Sequence, residues 1–288
     1  MVAIKMDGKS LAEKMQMNLK ERVAQFKEEK GVVPELVVLL VGENEASKLY
    51  VRNKEAAVNK VGMKSVIEHL PIDITEEALL EKIDFYNHKE ECHGILVQLP
   101  LPAHLDEQKM LRAIDYHKDV DGFHPMNVGN FFLGNKTTLP CTPYGIMTLL
   151  KEYNIDFDGK LAVVVGRSNI VGKPMTQMLL NEHATVTTAH SRTPNLQELT
   201  KQADILVVAV GQPHFITKDF VKEGAIVVDV GTNRNDMGKL IGDVSEEVSE
   251  IASYITPVPG GVGPMTVTML LEQTFDHAVE NTKNNNRK

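Results

Sequence analysis

The chain has 288 residues, room for about two domains that each bury a core. Hydrophobic residues make up 42% and charged residues 24%, an ordinary globular balance, and the net charge of −8 offers no general attraction to nucleic-acid phosphates. No apolar run approaches the roughly 18 residues of a membrane span, MVAIKMDGKS lacks the apolar centre of a leader, and Cys92 and Cys141 form no metal-binding spacing. These features predict a cytoplasmic protein with no nucleic-acid, membrane or metal partner.

Between Ser10 and Lys30, Leu11, Met15, Leu19, Val23 and Phe26 recur at helical spacing, and Gly31 ends that helix. LVVLLVG (36–42) reads as a buried strand, 46–61 as a helix closed by Gly62, and SVIEHL (65–70) as a second strand. TEEALLEKIDFYNHK (75–89) reads as a helix capped by Thr75, and GILVQLP (94–100) as a third strand. Strands alternating with helices predict a parallel βαβαβ unit. Glycine, proline and asparagine turns between Asp119 and Pro143 mark a domain junction. A helix over 143–153 then leads to LAVVV (161–165), and ATVTTAH (184–190), ADILVVAVG (203–211) and GAIVVDVG (224–231) resume the alternation. The apolar helix 265–277 is long enough to pack back onto the first domain, and the tail NTKNNNRK (281–288) reads as disordered.

The stretch LAVVVGRSNIVGKPM (161–175) organises the second half. A buried strand runs through Gly166 and a polar turn to Gly172 and Pro174, where a helix starts, so backbone N–H groups and the helix dipole can meet a phosphate. The spacing is not G-x-G-x-x-G, and an ordinary βα turn has the same pattern. About 20 residues on, a dinucleotide fold reads the adenosine ribose. Here that strand ends in Ser191 and Arg192, which donate to a 2′-phosphate where an Asp would repel it, so the site reads as NADP rather than NAD.

Three features of the first half fall at the carboxyl ends of strands, where open parallel sheets bind ligands. Ser47, Tyr50 and Lys54 share one helical face, and a lysine beside a ring in a dry site has a lowered pKa suited to proton transfer; a solvated lysine over a half-buried tyrosine fits the spacing too. Gln98 ends an apolar strand ahead of Leu99 and Pro100, where its amide can orient an amine or simply enter a proline turn. Asp119 and Asp121 precede Gly122, which reads as a turn or as a carboxylate that accepts paired hydrogen bonds from a 2-amino-pyrimidinone ring. TPVPGGVGPMT (256–266) combines proline stiffness with glycine access, either for a ligand or at the start of a helix.

Taken jointly, SKLYVRNK (47–54), GILVQLPLP (94–102), KDVDGFHPMNVG (118–129), PCTPYG (140–145), VVVGRSNIVGKP (163–174), VVDVG (227–231) and TPVPGGVGPMT resemble the bifunctional methylenetetrahydrofolate dehydrogenase/methenyltetrahydrofolate cyclohydrolase (FolD) family over nearly the whole length. The resemblance implies a two-domain α/β fold: a parallel βαβ folate-binding catalytic domain (1–140 plus 266–288) and a Rossmann-like NADP-binding domain (141–265), with the active-site cleft between them. It implies Lys54, Tyr50, Gln98 and Asp121 as catalytic residues, Lys54 moving protons, Gln98 orienting it, Tyr50 packing on the folate and Asp121 anchoring the pterin. Leu99 and Pro100 would bind the substrate, Pro259, Gly260 and Gly261 would line the folate and nicotinamide end, and Gly166, Arg167, Ser168, Ile170, Ser191, Arg192, Gly231 and Thr232 would hold NADP. The chain departs from the common family pattern at Thr232, often isoleucine, and at Ala56, often basic. The implied activity is NADP-dependent oxidation of 5,10-methylenetetrahydrofolate and hydrolysis of the product to 10-formyltetrahydrofolate, in one-carbon metabolism feeding purine and formyl-methionine synthesis, by a homodimer. Another two-domain NADP oxidoreductase and a catalytically silent NADP-binding protein are the competing readings; the first leaves Asp121 unexplained, and the presence of Lys54, Gln98 and Asp121 argues against the second.

Overall fold

The computed structural model describes residues 2–285 and divides into two units. One gathers Glu13–Cys141 with the residues from Val267 onward, and the other gathers the residues up to Ala12 with Thr142–Thr266. In chain order the first half contains β1 (Ile4–Lys5), α1 (Gly8–Lys30), β2 (Glu35–Val41), α2 (Glu45–Lys60), β3 (Lys64–Leu70), α3 (Glu76–His88), β4 (Gly94–Val97), α4 (Glu107–Ala113) and α5 (Pro125–Phe132). The second half contains α6 (Cys141–Glu152), β5 (Leu161–Val165), α7 (Gly172–Asn181), β6 (Thr185–Ala189), α8 (Leu196–Thr200), β7 (Ile205–Val208), β8 (Ile226–Asp229), β9 (Asn233–Arg234), β10 (Leu240–Ile241), β11 (Tyr254–Ile255) and α9 (Val262–Asn285). Among the described residues no helix is long and apolar enough to cross a membrane.

In the unit around Glu13–Cys141, three parallel strands lie in the order β3-β2-β4. Every residue of the central β2 is buried, as the unbroken apolar run 36–41 requires, while Glu35 at its start is paired with Lys64 and Lys89; Val38 pairs with both Ile67 and Leu96. Leu79, Ile83 and Tyr86 of α3 join Val37, Leu39 and Val97 in the core. The stripe of α1 is buried at Leu19, Val23 and Phe26, and Phe26 meets Phe275 of α9 edge-on at 5.6 Å. Thr75 caps α3 as its sequence predicts, accepting from Ala78 N–H at 3.2 Å.

The other unit is a six-stranded parallel sheet in the order β1-β11-β8-β7-β5-β6. Strand β6 is added on one side of β5 and β7 on the other, which makes the gap between the carboxyl ends of β5 and β7 a topological switch point. Short strand β1 belongs here although sequence grouping puts 1–140 together. Ile4 N donates to Ser253 O and Met6 N to Ile255 O, both at 2.8 Å, pairing β1 with β11 across nearly the whole chain. The last helix also differs from expectation: α9 runs from Val262 to Asn285 and takes in 281–285 of the tail read as disordered, while 286–288 lie outside the described residues.

Candidate functional site

In the three-stranded unit, α2 and the carboxyl end of β4 bring Lys54 to Gln98. Asn44 starts α2 by accepting Ser47 N–H at 3.0 Å, which sets the rotation of the helix and buries Ser47. One turn on, Tyr50 is 41% exposed, and Lys54 after it is half-buried. Lys54 Nζ donates to Gln98 Oε1 at 2.9 Å, and Gln98 Nε2 donates to Leu99 O at 2.7 Å, so the amide is held at both ends. Leu99 is half-buried and Pro100, after a cis peptide bond, is exposed.

The two aspartates of KDVDG separate in role. Asp119 is buried and its Oδ2 accepts from His124 N and Asn127 Nδ2, both at 2.8 Å, which closes the loop onto α5. Asp121 instead lies near enough to Lys54 for the two charges to interact. Burial pushes its carboxyl up to about 6, the nearby Lys54 charge opposes that rise, and Asp119 adds to it. Burial also pulls the Lys54 amine below the ordinary lysine range, against the attraction of Asp121. Cys141, which the sequence marks only as lacking a metal-binding spacing with Cys92, is the third member of this cluster: it contacts the Asp121 carboxyl, and burial holds it as a neutral thiol. A lysine with a depressed pKa near a carboxyl with a raised one is equipped to accept and return protons.

In the six-stranded unit the candidate nucleotide residues leave one edge of the sheet. Val165 pairs with Ala189 and Val208, and Val208 with Asp229, so the four strands end level. From those ends emerge Gly166 with Arg167 and Ser168, His190 with Ser191 and Arg192, Ala209 with Val210 and Gly211, and Val230 with Gly231 and Thr232. Gly166 has a φ of 134°, and a Cβ there would lie 2.4 Å from Ala209 O; a Cβ at Gly172 would lie 2.3 Å from Gly166 O. The N–H groups of Val171 and Gly172 point to Ser168 Oγ at 3.1 and 3.3 Å. The start of α7 is therefore partly capped from within, and Ser168 keeps its own O–H to donate outward. Arg167, Ser168, Ile170, Ser191, Arg192 and Thr232 are exposed. In this same unit Pro259 is exposed, while Gly260 and Gly261 pack on the start of α1: Lys9 N donates to Gly260 O at 2.9 Å, and a Cβ at Gly8 would collide with Gly261 O.

Residues 6–121 match the family model described as Tetrahydrofolate dehydrogenase/cyclohydrolase, catalytic domain, and residues 140–282 match the same family's NAD(P)-binding domain. The chain belongs to the tetrahydrofolate dehydrogenase/cyclohydrolase family. It is 62% identical over 278 residues to the bifunctional protein FolD of Streptococcus suis (strain 05ZYH33), covering 96% of this chain and 99% of that relative. It is 62% identical over 273 residues to FolD of Enterococcus faecalis (strain ATCC 700802 / V583), covering 94% and 97%. Among solved structures, FolD methylenetetrahydrofolate dehydrogenase/cyclohydrolase from Campylobacter jejuni superposes with a TM-score of 0.94 at 52% identity over 98% of this chain and 99% of that one. The methylenetetrahydrofolate dehydrogenase-cyclohydrolase of Trypanosoma brucei, complexed with NADP cofactor and inhibitor, gives 0.93 at 39% identity over all of both chains.

The dinucleotide that this family's second domain implies fits the residues present. The Gly166 turn excludes side chains where a pyrophosphate needs close backbone approach, and exposed hydroxyl and guanidinium donors flank it on the level edge. Sequence reasoning missed what shapes that edge in this family member. Asp243 Oδ2 accepts from Val210 N at 2.7 Å and Gly211 N at 2.9 Å, and its Oδ1 from Gln212 N at 2.9 Å and Asn233 Nδ2 at 2.8 Å. Asp229 in turn accepts from Gly231 N, Asp243 N and Val244 N, each at 2.9 Å, while burial pushes its carboxyl up to about 6. The available signal was an aspartate closing an apolar strand and a second one alone in an apolar loop (GDV, 242–244).

Proposed function

We propose that this chain oxidises 5,10-methylenetetrahydrofolate to the 5,10-methenyl form with NADP⁺ and hydrolyses that product to 10-formyltetrahydrofolate. The observation that carries this reading is the Lys54 amine held 2.9 Å from Gln98 and within reach of the Asp121 charge, within a chain of this family. Bound NADP⁺ supplies the hydride acceptor. Two nitrogens flank the donating carbon of the substrate and stabilise the cation left behind, so the oxidation needs positioning more than a base. Asp121 would accept paired hydrogen bonds from the pterin, with Tyr50, Leu99 and Pro100 lining the folate. Water attack on the methenyl product needs proton transfers, which fall to Lys54, aimed by Gln98. A nearby substrate cation favours the neutral amine further.

On this reading, the unit built around Glu13–Cys141 is the folate-binding catalytic domain and the Thr142–Thr266 unit the nucleotide domain. Gly166, Arg167, Ser168, Ile170, Ser191, Arg192, Gly231 and Thr232 would hold NADP, with Pro259, Gly260 and Gly261 at the nicotinamide end. The proposal extends to a cytoplasmic homodimer.

An absorbance assay with 5,10-methylenetetrahydrofolate, run separately with NADP⁺ and NAD⁺, tests the reading. Turnover with NADP⁺ and little methenyl accumulation is the expected result. Arg192→Ala is expected to raise the KM for NADP⁺ by about tenfold, the loss of a charge-assisted phosphate contact, and to leave NAD⁺ turnover nearly unchanged. Absence of turnover with either nucleotide overturns the proposal.

A further inference from the structure

Four contacts converge on the side-chain amide of Gln273, which lies on α9 and is 6% exposed. Its Oε1 accepts from Leu139 N at 2.7 Å. Its Nε2 lies 2.9 Å from Val120 O, 2.9 Å from Leu139 O and 3.3 Å from Cys141 Sγ, two donor hydrogens spread over three acceptors. The groups it grips surround Asp121. Val120 precedes it in the chain, and Leu139 and Pro140 close over Gly122 after it, where a Cβ would lie 2.5 Å from Leu139 C and 2.7 Å from Pro140 N. The Cys141 thiol sits 3.2 Å from Val120 O and contacts the Asp121 carboxyl itself. All of these residues belong to one unit.

We infer that Gln273 is a positioning residue for Asp121, fixing the direction of that carboxyl through the Val120 carbonyl and the Cys141 thiol. Filling the space would take only an apolar side chain of similar length; an amide is needed because the segments on either side of Asp121 present both carbonyls and an N–H to the same point. The kinetic consequence rests on the folate reading, whereas the clamp itself does not.

The test compares the wild-type protein with Gln273→Met, which keeps the length and loses every hydrogen bond, and with Gln273→Glu. The glutamate keeps an acceptor for Leu139 N–H, loses both donors when ionised and regains one when protonated. Circular dichroism melting establishes that each variant is folded, and the glutamate serves if the methionine variant is not. The KM for 5,10-methylenetetrahydrofolate is expected to rise about tenfold in Gln273→Met, the loss of one to two net hydrogen bonds, with the KM for NADP⁺ unchanged. In Gln273→Glu the defect relative to wild type should shrink as pH falls. In Gln273→Met, which adds no charge, the assigned ¹³C titration of the Asp121 carboxyl should move toward the ordinary aspartate range as the loosened loop admits water, a readout that needs no turnover. A folded variant with wild-type folate KM and an unmoved Asp121 midpoint overturns the inference, as does an equal change in both KM values. If wild-type protein fails to turn over the folate, the proposed function falls, and the Asp121 titration alone decides the positioning role.

Discussion

Lys54 Nζ reaches Gln98 Oε1 at 2.9 Å while the opposite end of that amide is tied to Leu99 O at 2.7 Å. The second bond prevents the amide from turning its N–H end toward the ammonium, so the acceptor offered to Lys54 is fixed. Removing the amine with Lys54→Met should lower hydrolysis by a factor of about 10² to 10⁴, the usual worth of a positioned proton carrier, and slow hydride transfer much less. Methenyl product would then accumulate, which stopped-flow absorbance detects. Equal loss in both steps would mean that Lys54 serves only to hold substrate.

Gln98→Glu replaces a neutral acceptor by a charged one. A carboxylate at this distance favours the ammonium, so the amine pKa rises and the limb of the hydrolysis profile that needs neutral Lys54 should move toward higher pH. A profile unmoved in this variant would detach Lys54 from the titration.

Asp121 links pH to both binding and stability. Its carboxyl is raised from 3.8 to about 6, chiefly by burial. As pH falls through about 6 it becomes neutral and loses its paired acceptor character, so the folate KM should rise there. Because the folded-state value lies above the ordinary one, its stabilising contribution is full below 3.8 and is lost as pH rises through about 6. Asp121→Asn carries no such penalty. It should melt above wild type at pH values past that window and level with it in acid, whereas a lower melting point in the alkaline range would refute burial as the dominant cause.

Gly166 and Gly211 form a matched pair for substitution. An alanine at Gly166 meets Ala209 O at 2.4 Å and must hold a φ of 134°, whereas at Gly211 the φ is 66° and nothing lies within 4 Å. Gly211→Ala should cost about 1 kcal/mol, the left-handed backbone penalty alone. Gly166→Ala adds a clash with backbone to a strain of about 1–3 kcal/mol and should weaken NADPH binding as well. Calorimetry with fluorescence titration of NADPH distinguishes the two, and equal effects would show that the turn can move aside.

Asp243→Asn probes the loop after β7. An asparagine offers one acceptor oxygen where the carboxylate offers two, and its NH₂ would face N–H donors from Val210 and Gly211 or from Gln212 and Asn233. Each donor left unpaired costs about 1–3 kcal/mol, so the melting midpoint should fall clearly. An unchanged midpoint would remove Asp243 as the organiser of this edge.

Much of this protein was readable in local pattern. The unbroken apolar runs at 36–41 and 161–165 are buried strands because such runs cannot be left in water, and the spacing of Tyr50 and Lys54 follows from helical geometry. The glycine turn after β5 and the Thr75 cap are equally local, since each depends on a few neighbouring residues. What only the tertiary structure decided are choices of partner. Ile4 finds Tyr254, Gln273 finds Val120, and Asp243 finds the backbone of 210–212. The same holds for the two aspartates of KDVDG, one spent on Asn127 and His124, the other left within reach of the Lys54 charge. A carboxylate or amide in a sequence carries acceptors and donors but no direction. Which backbone groups it satisfies depends on the loops that sheet order brings beside it, and that order is set by burial summed over the whole chain.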